Sequence, residues 1–350
     1  MKILQINTEK NWRGGERQTL LTLQGLKLAG VDVSLLCLDN QPLDHEAKKH
    51  SLPVVSVPGQ MQAYKYLLTH GKGFDLLHAQ TSKAQSLAIL SKPVHRSKVV
   101  YTRRVDFCPR GFTARIKYRF TDQLVAISLA IRNILETSFP GRDIRVIPSC
   151  IDAANQASEP GRKARELKKK HAGLKIIATA AALVPHKDPL TLVRAVAKFK
   201  RDSGRSFVFL HFGQGELESV VRSEIHKLGL EQEYLLMGFV EDLEEYFPVF
   251  DLFVMSSREE GLGSSVLEAF KHQVPVVSTV AGGLEELLSG RGLLCPVQDH
   301  ECLARSMVQV ISSPGDYQEM VQEAKHYVFQ EHSLEVMARR YVSLYREILS

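Results

Sequence analysis

"KIIATAAALVPHKDPLTLVRAV", residues 175–196, is the stretch on which the fold turns. Its first nine residues, 175–183, form a run that is apolar apart from Lys175 and Thr179, a helix-length segment closes it, and Lys187 stands in the polar loop between them. An apolar run of that length without apolar/polar alternation reads as a strand buried on both faces, which is the habit of parallel sheets. The unit repeats in both directions. Toward the carboxyl end it recurs at 206–213, 234–239, 252–256, 275–280 and 292–297, and toward the amino end at 2–7, 32–38, 53–57, 75–80, 98–102, 123–128 and 143–148. Helix-length segments separate many of these runs; in 16–29, Leu20, Leu21, Leu23, Leu26, Leu28 and Ala29 recur at helical spacing before Gly30 ends the run. The alternation predicts an α/β protein of two Rossmann-like domains facing each other across a cleft.

A length of 350 residues exceeds what one hydrophobic core usually holds, and 44% hydrophobic with 24% charged residues is ordinary for a globular protein. Charge divides the chain: residues 1–153 carry 22 basic and 12 acidic groups, residues 154–350 carry 23 and 27. The polar segment 153–173, with Pro160 and Gly161, has no strand pattern, so the interdomain linker is expected at its start, and Lys168–Lys170 reads as a solvated helix end. No run of eighteen apolar residues and no signal-peptide pattern occurs, so a cytoplasmic location is expected. Five scattered cysteines without a C-x-x-C pair predict buried free thiols and no metal site. The basic first half admits nucleic acid, an anionic membrane or a phosphate-bearing substrate as partner; the absence of an RNA-binding aromatic signature leads to an expectation of no nucleic acid.

Ligands of open α/β sheets bind beyond the carboxyl ends of the strands, so the loops there carry the functional reading. After 2–7 the chain reads "NTEKNWRGGERQTL", where Gly14 and Gly15 lead into a helix whose free amides favour a phosphate; a lone Gly-Gly is more often a turn used only for packing, and the G-x-G-x-x-G dinucleotide fingerprint is not met. Gly213 and Gly215 follow another strand in the same manner. The richest loop is "REEGLGSSVLEAF", 258–270: Glu260 and Glu268 stand eight residues apart around Gly261, Leu262, Gly263, Ser264 and Ser265. A helix beginning near Ser264 puts its hydroxyl, the free amides and the Glu268 carboxylate on one face. Amides suit an anion and carboxylates suit hydroxyl groups, a pairing that fits a nucleotide sugar.

With "RGGERQ", "ALVPHKDP", "HFGQGEL", "YLLMGFVEDLEEYF" and "DLFVMSSREEGLGSSVLEAF" in this order, nearly the whole chain resembles the family 4 retaining glycosyltransferases of the GT-B fold, of the E-x7-E type found in lipopolysaccharide and surface polysaccharide synthesis. The resemblance implies a last helix at 333–349 that crosses back, so that 1–153 plus 333–350 form the acceptor-binding domain and 154–332 the nucleotide-sugar domain. It implies Glu268 on the ribose, Glu260 beside the donor sugar, and a diphosphate held by Lys187, the amides of Gly263–Ser265 and the Gly14–Gly15 loop. Gly213, Gly215, Phe239 and Val240 complete the donor site, with the base near Gly238–Val240. It further implies a nucleoside-diphosphate sugar, UDP first, as co-substrate, no cofactor, and no protein nucleophile, the acceptor attacking from the face the diphosphate leaves.

The departures are specific. Ala182 stands where the family has an Arg, with Arg13 as a substitute grip; Arg104, beside Arg103, stands where it has a His. Arg104 is therefore counted with the catalytic groups, and Arg103 and Arg13 as acceptor contacts, with ion pairs to Asp106 or Asp122 as the structural alternative for the two arginines. Ser149-Cys150 and Ser256 replace the usual Asn-Gly and Pro, and read as structural drift. Between Lys92 and Arg119, nine basic residues interleave with Phe107, Phe112, Tyr118 and Phe120, which suits either ordinary helix packing or contact with an anionic membrane at its inner face, beside a glycan or lipid-linked acceptor. A nucleotide-sugar epimerase or phosphorylase on the same frame, and a non-catalytic binder, remain as alternatives.

Overall fold

The structure is a computed structural model that describes residues 1–152, 160–240 and 242–350. The expected start of the linker, 153–159, lies outside the described residues. Contacts divide the chain into two compact units, Met1–Asp152 with Glu331–Ser350, and Ala153–Gln330.

The first unit is a seven-stranded, all-parallel sheet. Its strands are β1 (Lys2–Ile6), β2 (Asp32–Leu38), β3 (Val54–Val57), β4 (Leu76–Ala79), β5 (Lys98–Arg103), β6 (Gln123–Ala126) and β7 (Ile144–Val146), in the order β3-β2-β1-β4-β5-β6-β7. The order reverses between β1 and β4, and such a switch point opens a crevice at the carboxyl ends of the strands. The helix Gly14–Leu28 follows β1, and the terminal helix Leu334–Leu349 packs against it. At Gly25 a Cβ would stand 3.2 Å from the side chains of Ala338 and Leu334, so glycine sets how closely these helices approach. Polar bonds also tie the terminal helix to the sheet. Tyr345 OH lies 2.6 Å from His78 Nδ1, His78 Nε2 lies 2.7 Å from Thr102 Oγ1, and Tyr341 OH lies 2.9 Å from the same hydroxyl. All four groups are buried, and burial holds the imidazole down at about 3, so His78 serves as a neutral bridge.

The second unit is a six-stranded parallel sheet. It contains β8 (Lys175–Ala180), β9 (Phe207–Phe212), β10 (Tyr234–Gly238), β11 (Leu252–Met255), β12 (Val276–Thr279) and β13 (Leu293–Cys295), in the order β10-β9-β8-β11-β12-β13. The switch point falls between β8 and β11. Every residue of β9 is buried, as expected of a strand covered on both faces. Phe199 and Phe209 are fully buried in this core and contribute on the order of 1.5–3 kcal/mol each.

The cysteines depart from expectation. Cys295 and Cys302 form a disulfide, with Cα atoms 5.7 Å apart, because the turn after β13 leads at once into the helix His300–Ser312. Asp299 caps that helix by accepting the Cys302 amide at 2.8 Å, which fixes the approach. Cys37 and Cys150 are buried free thiols pushed up to about 12 by desolvation, and Cys108 is exposed. Among the described residues no helix is long and apolar enough to cross a membrane.

Candidate active site

In the second unit, two loops that leave the sheet at its switch point are stitched together. Residues 181–188 follow β8 and 256–263 follow β11. The Ser256 hydroxyl lies within bonding distance of the Lys187 and Asp188 carbonyls, at 3.0 and 2.9 Å. The Arg258 amide donates to the His186 carbonyl at 2.8 Å, and its guanidinium Nε to Asp188 Oδ2 at 3.1 Å. Asp188 is buried, takes a φ of +46° and also accepts the Thr191 hydroxyl, so the turn is held against its own backbone preference. The outcome is an ion pair between Lys187 Nζ and Glu260 Oε2, both side chains more than four-fifths buried. Glu259 is exposed.

Ser256 therefore corrects the reading of this position as drift: its hydroxyl fastens the loop that carries Lys187. Gly282 and Gly283 pack against the other loop. A Cβ on either would stand 2.2 or 2.4 Å from the carbonyl oxygen of Glu260 or Gly261, and the Gly283 amide donates to the Glu260 carbonyl at 2.9 Å. These glycines support Glu260 from behind, and no local sequence signal marks them for that task. Gly213 and Gly215 acquire a packing reason as well, since added Cβ atoms would meet the Ala181 and Leu183 carbonyl oxygens at 2.0 and 2.3 Å. The Gly213 amide donates to the Gly238 carbonyl at 2.8 Å, so the loop preceding exposed Phe239 and half-buried Val240 is coupled to the same cluster. Ala182 is exposed and brings no charge.

The helix Ser264–Lys271 begins where expected, with Gly263 at φ +93° ahead of it and a Cβ there barred by Leu284 at 2.5 Å. Its first intrahelical bonds run from Val266 and Leu267 to the Gly263 carbonyl, so the Ser264 and Ser265 amides form the electropositive end. Leu262 is buried, while Ser264 and Ser265 are half-buried. Glu268, one turn on from Ser264, is buried at 4% exposure. Its carboxylate shares a polar pocket with Glu244 and His272, their nearest ligand atoms all within 4.8 Å of one another. Two carboxylates in so small a volume require a cation, and the buried Lys271 ammonium, ion-paired with Glu244, supplies it. That ammonium opposes a divalent ion on the same three side chains. Burial, with Lys271 beside it, holds His272 down at about 4.

In the first unit, the carboxyl ends of the strands carry a different arrangement. Arg104, just past β5, donates from its terminal nitrogens to Gln80 Oε1 at 2.8 Å and to Ser149 Oγ at 3.2 Å. Neither partner is charged. The acid acting on it is Glu16, whose own carboxylate accepts the Arg13 amide at 3.0 Å and the Asn7 amide at 3.3 Å. Burial lowers the Arg104 pKa and raises that of Glu16. Ser149 is thus a partner of Arg104 rather than drift. Above Glu16, Arg13 is exposed, and at Gly14 and Gly15 an added Cβ would meet nothing within 4 Å. Arg103 turns the other way. It is 3% exposed, donates to Tyr118 OH at 2.6 Å and to the Phe107 carbonyl, and lies 5.2 Å from the Phe107 ring centroid. The acceptor contact expected of Arg103 is corrected: strand alternation sends neighbouring side chains to opposite faces, and Arg103 braces the segment after β5 from within. Neither arginine pairs with Asp106 or Asp122 among the described residues; Asp122 is held by Lys92.

Two family models match consecutive parts of the chain, "Glycosyltransferase Family 4" over residues 12–155 and "Glycosyl transferases group 1" over residues 162–327. The chain belongs to glycosyltransferase family 4. It is similar to an N-acetyl-alpha-D-glucosaminyl L-malate synthase of Bacillus anthracis, 24% identical over 65% of this chain and 60% of that one. It is also similar to a UDP-Gal:alpha-D-GlcNAc-diphosphoundecaprenol alpha-1,3-galactosyltransferase of Escherichia coli, 24% identical over 89% and 88% of the two chains. An Anabaena protein crystallised with UDP and glucose superposes with a TM-score of 0.86 at 19% identity, covering 99% of this chain and 100% of that one. At that identity the likeness establishes the fold, and the fold of this glycosyltransferase is GT-B.

Proposed function

We propose that this glycosyltransferase transfers a hexose with retention from a nucleoside-diphosphate sugar, UDP being the nucleotide, to a glycan or lipid-linked acceptor in bacterial lipopolysaccharide or surface polysaccharide synthesis. The Lys187–Glu260 pair, fixed by two stitched loops at a sheet switch point, is the observation that carries this reading. Lys187 exchanges its carboxylate for the donor diphosphate, and the freed Glu260 accepts hydrogen bonds from sugar hydroxyls. The Ser264 and Ser265 amides neutralise charge that grows on the departing diphosphate. Glu268 is assigned to the ribose, where its burial strengthens a hydrogen bond to a hydroxyl group. Arg104 supplies a cation for the acceptor-side unit, and Gly14 and Gly15 leave open backbone for phosphate. The nucleotide, the acceptor class and a location at the inner face of the membrane belong to this proposal; the first two are supported by what the Escherichia coli and Anabaena relatives are named for.

A thermal-shift panel of UDP, GDP and ADP with their sugars tests the reading. A ligand at a hundred times its dissociation constant stabilises by about 2.7 kcal/mol. The expected result is a shift with UDP forms, followed by an α-configured product from an α-linked donor in the proton NMR spectrum. Absence of any shift across the panel, or an inverted product, contradicts it.

A further inference from the structure

The Cys295–Cys302 disulfide lies beside the segment that supports Glu260. Cys295 ends β13 and is fully buried, while Cys302 is half-buried in the first turn of the helix His300–Ser312. β13 pairs with β12 as far as Thr279 and Cys295, and beyond that pair the Val280 amide donates to the Cys295 carbonyl at 2.9 Å. Two contacts then run from the end of β12 to the loop that carries Glu260. The Thr279 hydroxyl donates to the Ser257 carbonyl at 2.5 Å, and the Gly283 amide donates to the Glu260 carbonyl at 2.9 Å. There is no slack at Gly282, where a Cβ would stand 2.2 Å from that same carbonyl oxygen. A short row of bonds therefore joins the disulfide to the backbone of Glu260, all of it inside the second unit.

Stability alone does not account for a bond at this place. The two cysteines are seven positions apart, so the loop they close is short and the entropy it removes is small. Strand pairing on one side and the Asp299 cap on the other already fix both ends. At the inner face of a membrane, the location proposed above, a disulfide also meets a pool of reducing thiols, and protein disulfides found there are usually catalytic or redox-sensing. Cys302 is the half open to an attacking thiolate, Cys295 being enclosed. The buried half is provided for in the reduced state as well, since Ser306 Oγ lies 3.5 Å from Cys295 Sγ and can accept the S–H that reduction creates.

We propose that Cys295 and Cys302 form a thiol–disulfide switch behind the donor site. Oxidised, the bond holds the end of β13, and with it residues 279–283, against the loop of Glu260. Reduced, that backing loosens and transfer slows. The reductant is a dithiol. Its thiolate attacks Cys302 Sγ and the Cys295 sulfur leaves and takes a proton; its second thiol then displaces the Cys302 sulfur, which is protonated in turn, giving two protein thiols and one cyclic disulfide. The reverse exchange with an oxidised dithiol restores the bond. The effect on transfer rests on the role proposed for Glu260, but the switch itself does not.

Hydrogen exchange of the full chain, oxidised and after dithiothreitol, tests the switch without donor or acceptor. Thiol titration in denaturant is expected to rise from the three free cysteines, Cys37, Cys108 and Cys150, to all five. The amides of Val280 and Gly283 are expected to exchange about tenfold faster in the reduced protein, and those of the helix Gly14–Leu28 in the first unit to stay unchanged. Initial rates with a UDP-sugar are expected to fall about three- to tenfold on reduction, within the range of coupling through a packed network, and to recover with oxidised dithiothreitol. Cys302→Ser and Cys302→Ala are expected to behave as the reduced protein under both conditions, and Cys108→Ser to respond as the parent does. Unchanged exchange at Val280 and Gly283 on reduction overturns the proposal, as does a bond that dithiothreitol opens only when circular dichroism shows unfolding. Faster exchange with transfer rates that do not move overturns it too. Faster exchange without transfer in either state supports the switch and counts against the function proposed above.

Discussion

At the end of the six-stranded sheet three cations each meet a carboxylate: Lys187 with Glu260, Arg258 with Asp188 and Lys271 with Glu244. At the end of the seven-stranded sheet Arg104 meets Gln80 and Ser149, both neutral. The difference concerns what a ligand must do on arrival. In the second unit a phosphate has to take Lys187 from Glu260, and the carboxylate released needs a hydroxyl group in return, so a ligand bearing both groups is favoured over a bare anion. In the first unit the guanidinium is already desolvated without a carboxylate bonded to it, so a lone anionic group suffices.

The strongest way to break this comparison is to remove the paired carboxylate. Glu260→Ala is expected to lower transfer by roughly a hundred- to a thousandfold, the cost typical of one lost transition-state contact. Initial rates at saturating donor check it, and parent-like rates would falsify the assignment. Acidification tests the buried histidines of both units. Desolvation holds His78 at about 3 and His211 at about 4, and His272 also lies at about 4, against 6.5 for a free imidazole. These groups are neutral when folded and take up protons when unfolded, so stability is full above pH 6.5 and falls as the pH drops toward 4. For His211 alone the loss by pH 4 is about 3 kcal/mol. Urea unfolding at pH 7.5, 6 and 5 reads the slope, and a flat series contradicts the burial.

Arg104→Gln sharpens the contrast from the other side. It is expected to reduce kcat/KM for the acceptor by about ten- to a hundredfold, in line with the loss of one charged contact of about 1.5–3 kcal/mol, with donor binding unchanged. Equal losses in donor affinity would place the residue in the wrong half of the reaction. The smallest effect is expected at Gly14→Ala, where φ needs no glycine and nothing crowds the new methyl group. Stability is expected to change by less than about 1 kcal/mol, so any loss of activity reports a ligand at the backbone. Gly283→Ala is its counterpart, expected to destabilise because the methyl group meets the Gly261 carbonyl oxygen at 2.4 Å. Thermal melts of the two variants, run side by side, test the pair.

The strands were legible because each is a continuous apolar run, and a run buried on both faces needs no partner to be recognised. The start of the Ser264 helix was legible for the same local reason, a Gly-Ser-Ser turn before apolar residues. What stayed hidden depends on which strands lie side by side. Ser256 acts on a loop sixty-nine residues earlier, and Ser149 on an arginine forty-five residues earlier. Neither distance has a signature in spacing. The burial of Glu268 was not legible, because helical spacing puts His272, four residues on, beside it, while Glu244 comes from another part of the fold. Cys295 and Cys302 escaped because their seven-residue separation closes only when the turn after β13 is known.

The proposed division of labour between the two units is tested most directly by the thermal shift expected with saturating UDP, measured in two variants. Lys187→Ala is expected to abolish the shift of about 2.7 kcal/mol, and Arg104→Gln to retain it. Retention in Lys187→Ala with loss in Arg104→Gln would contradict the account.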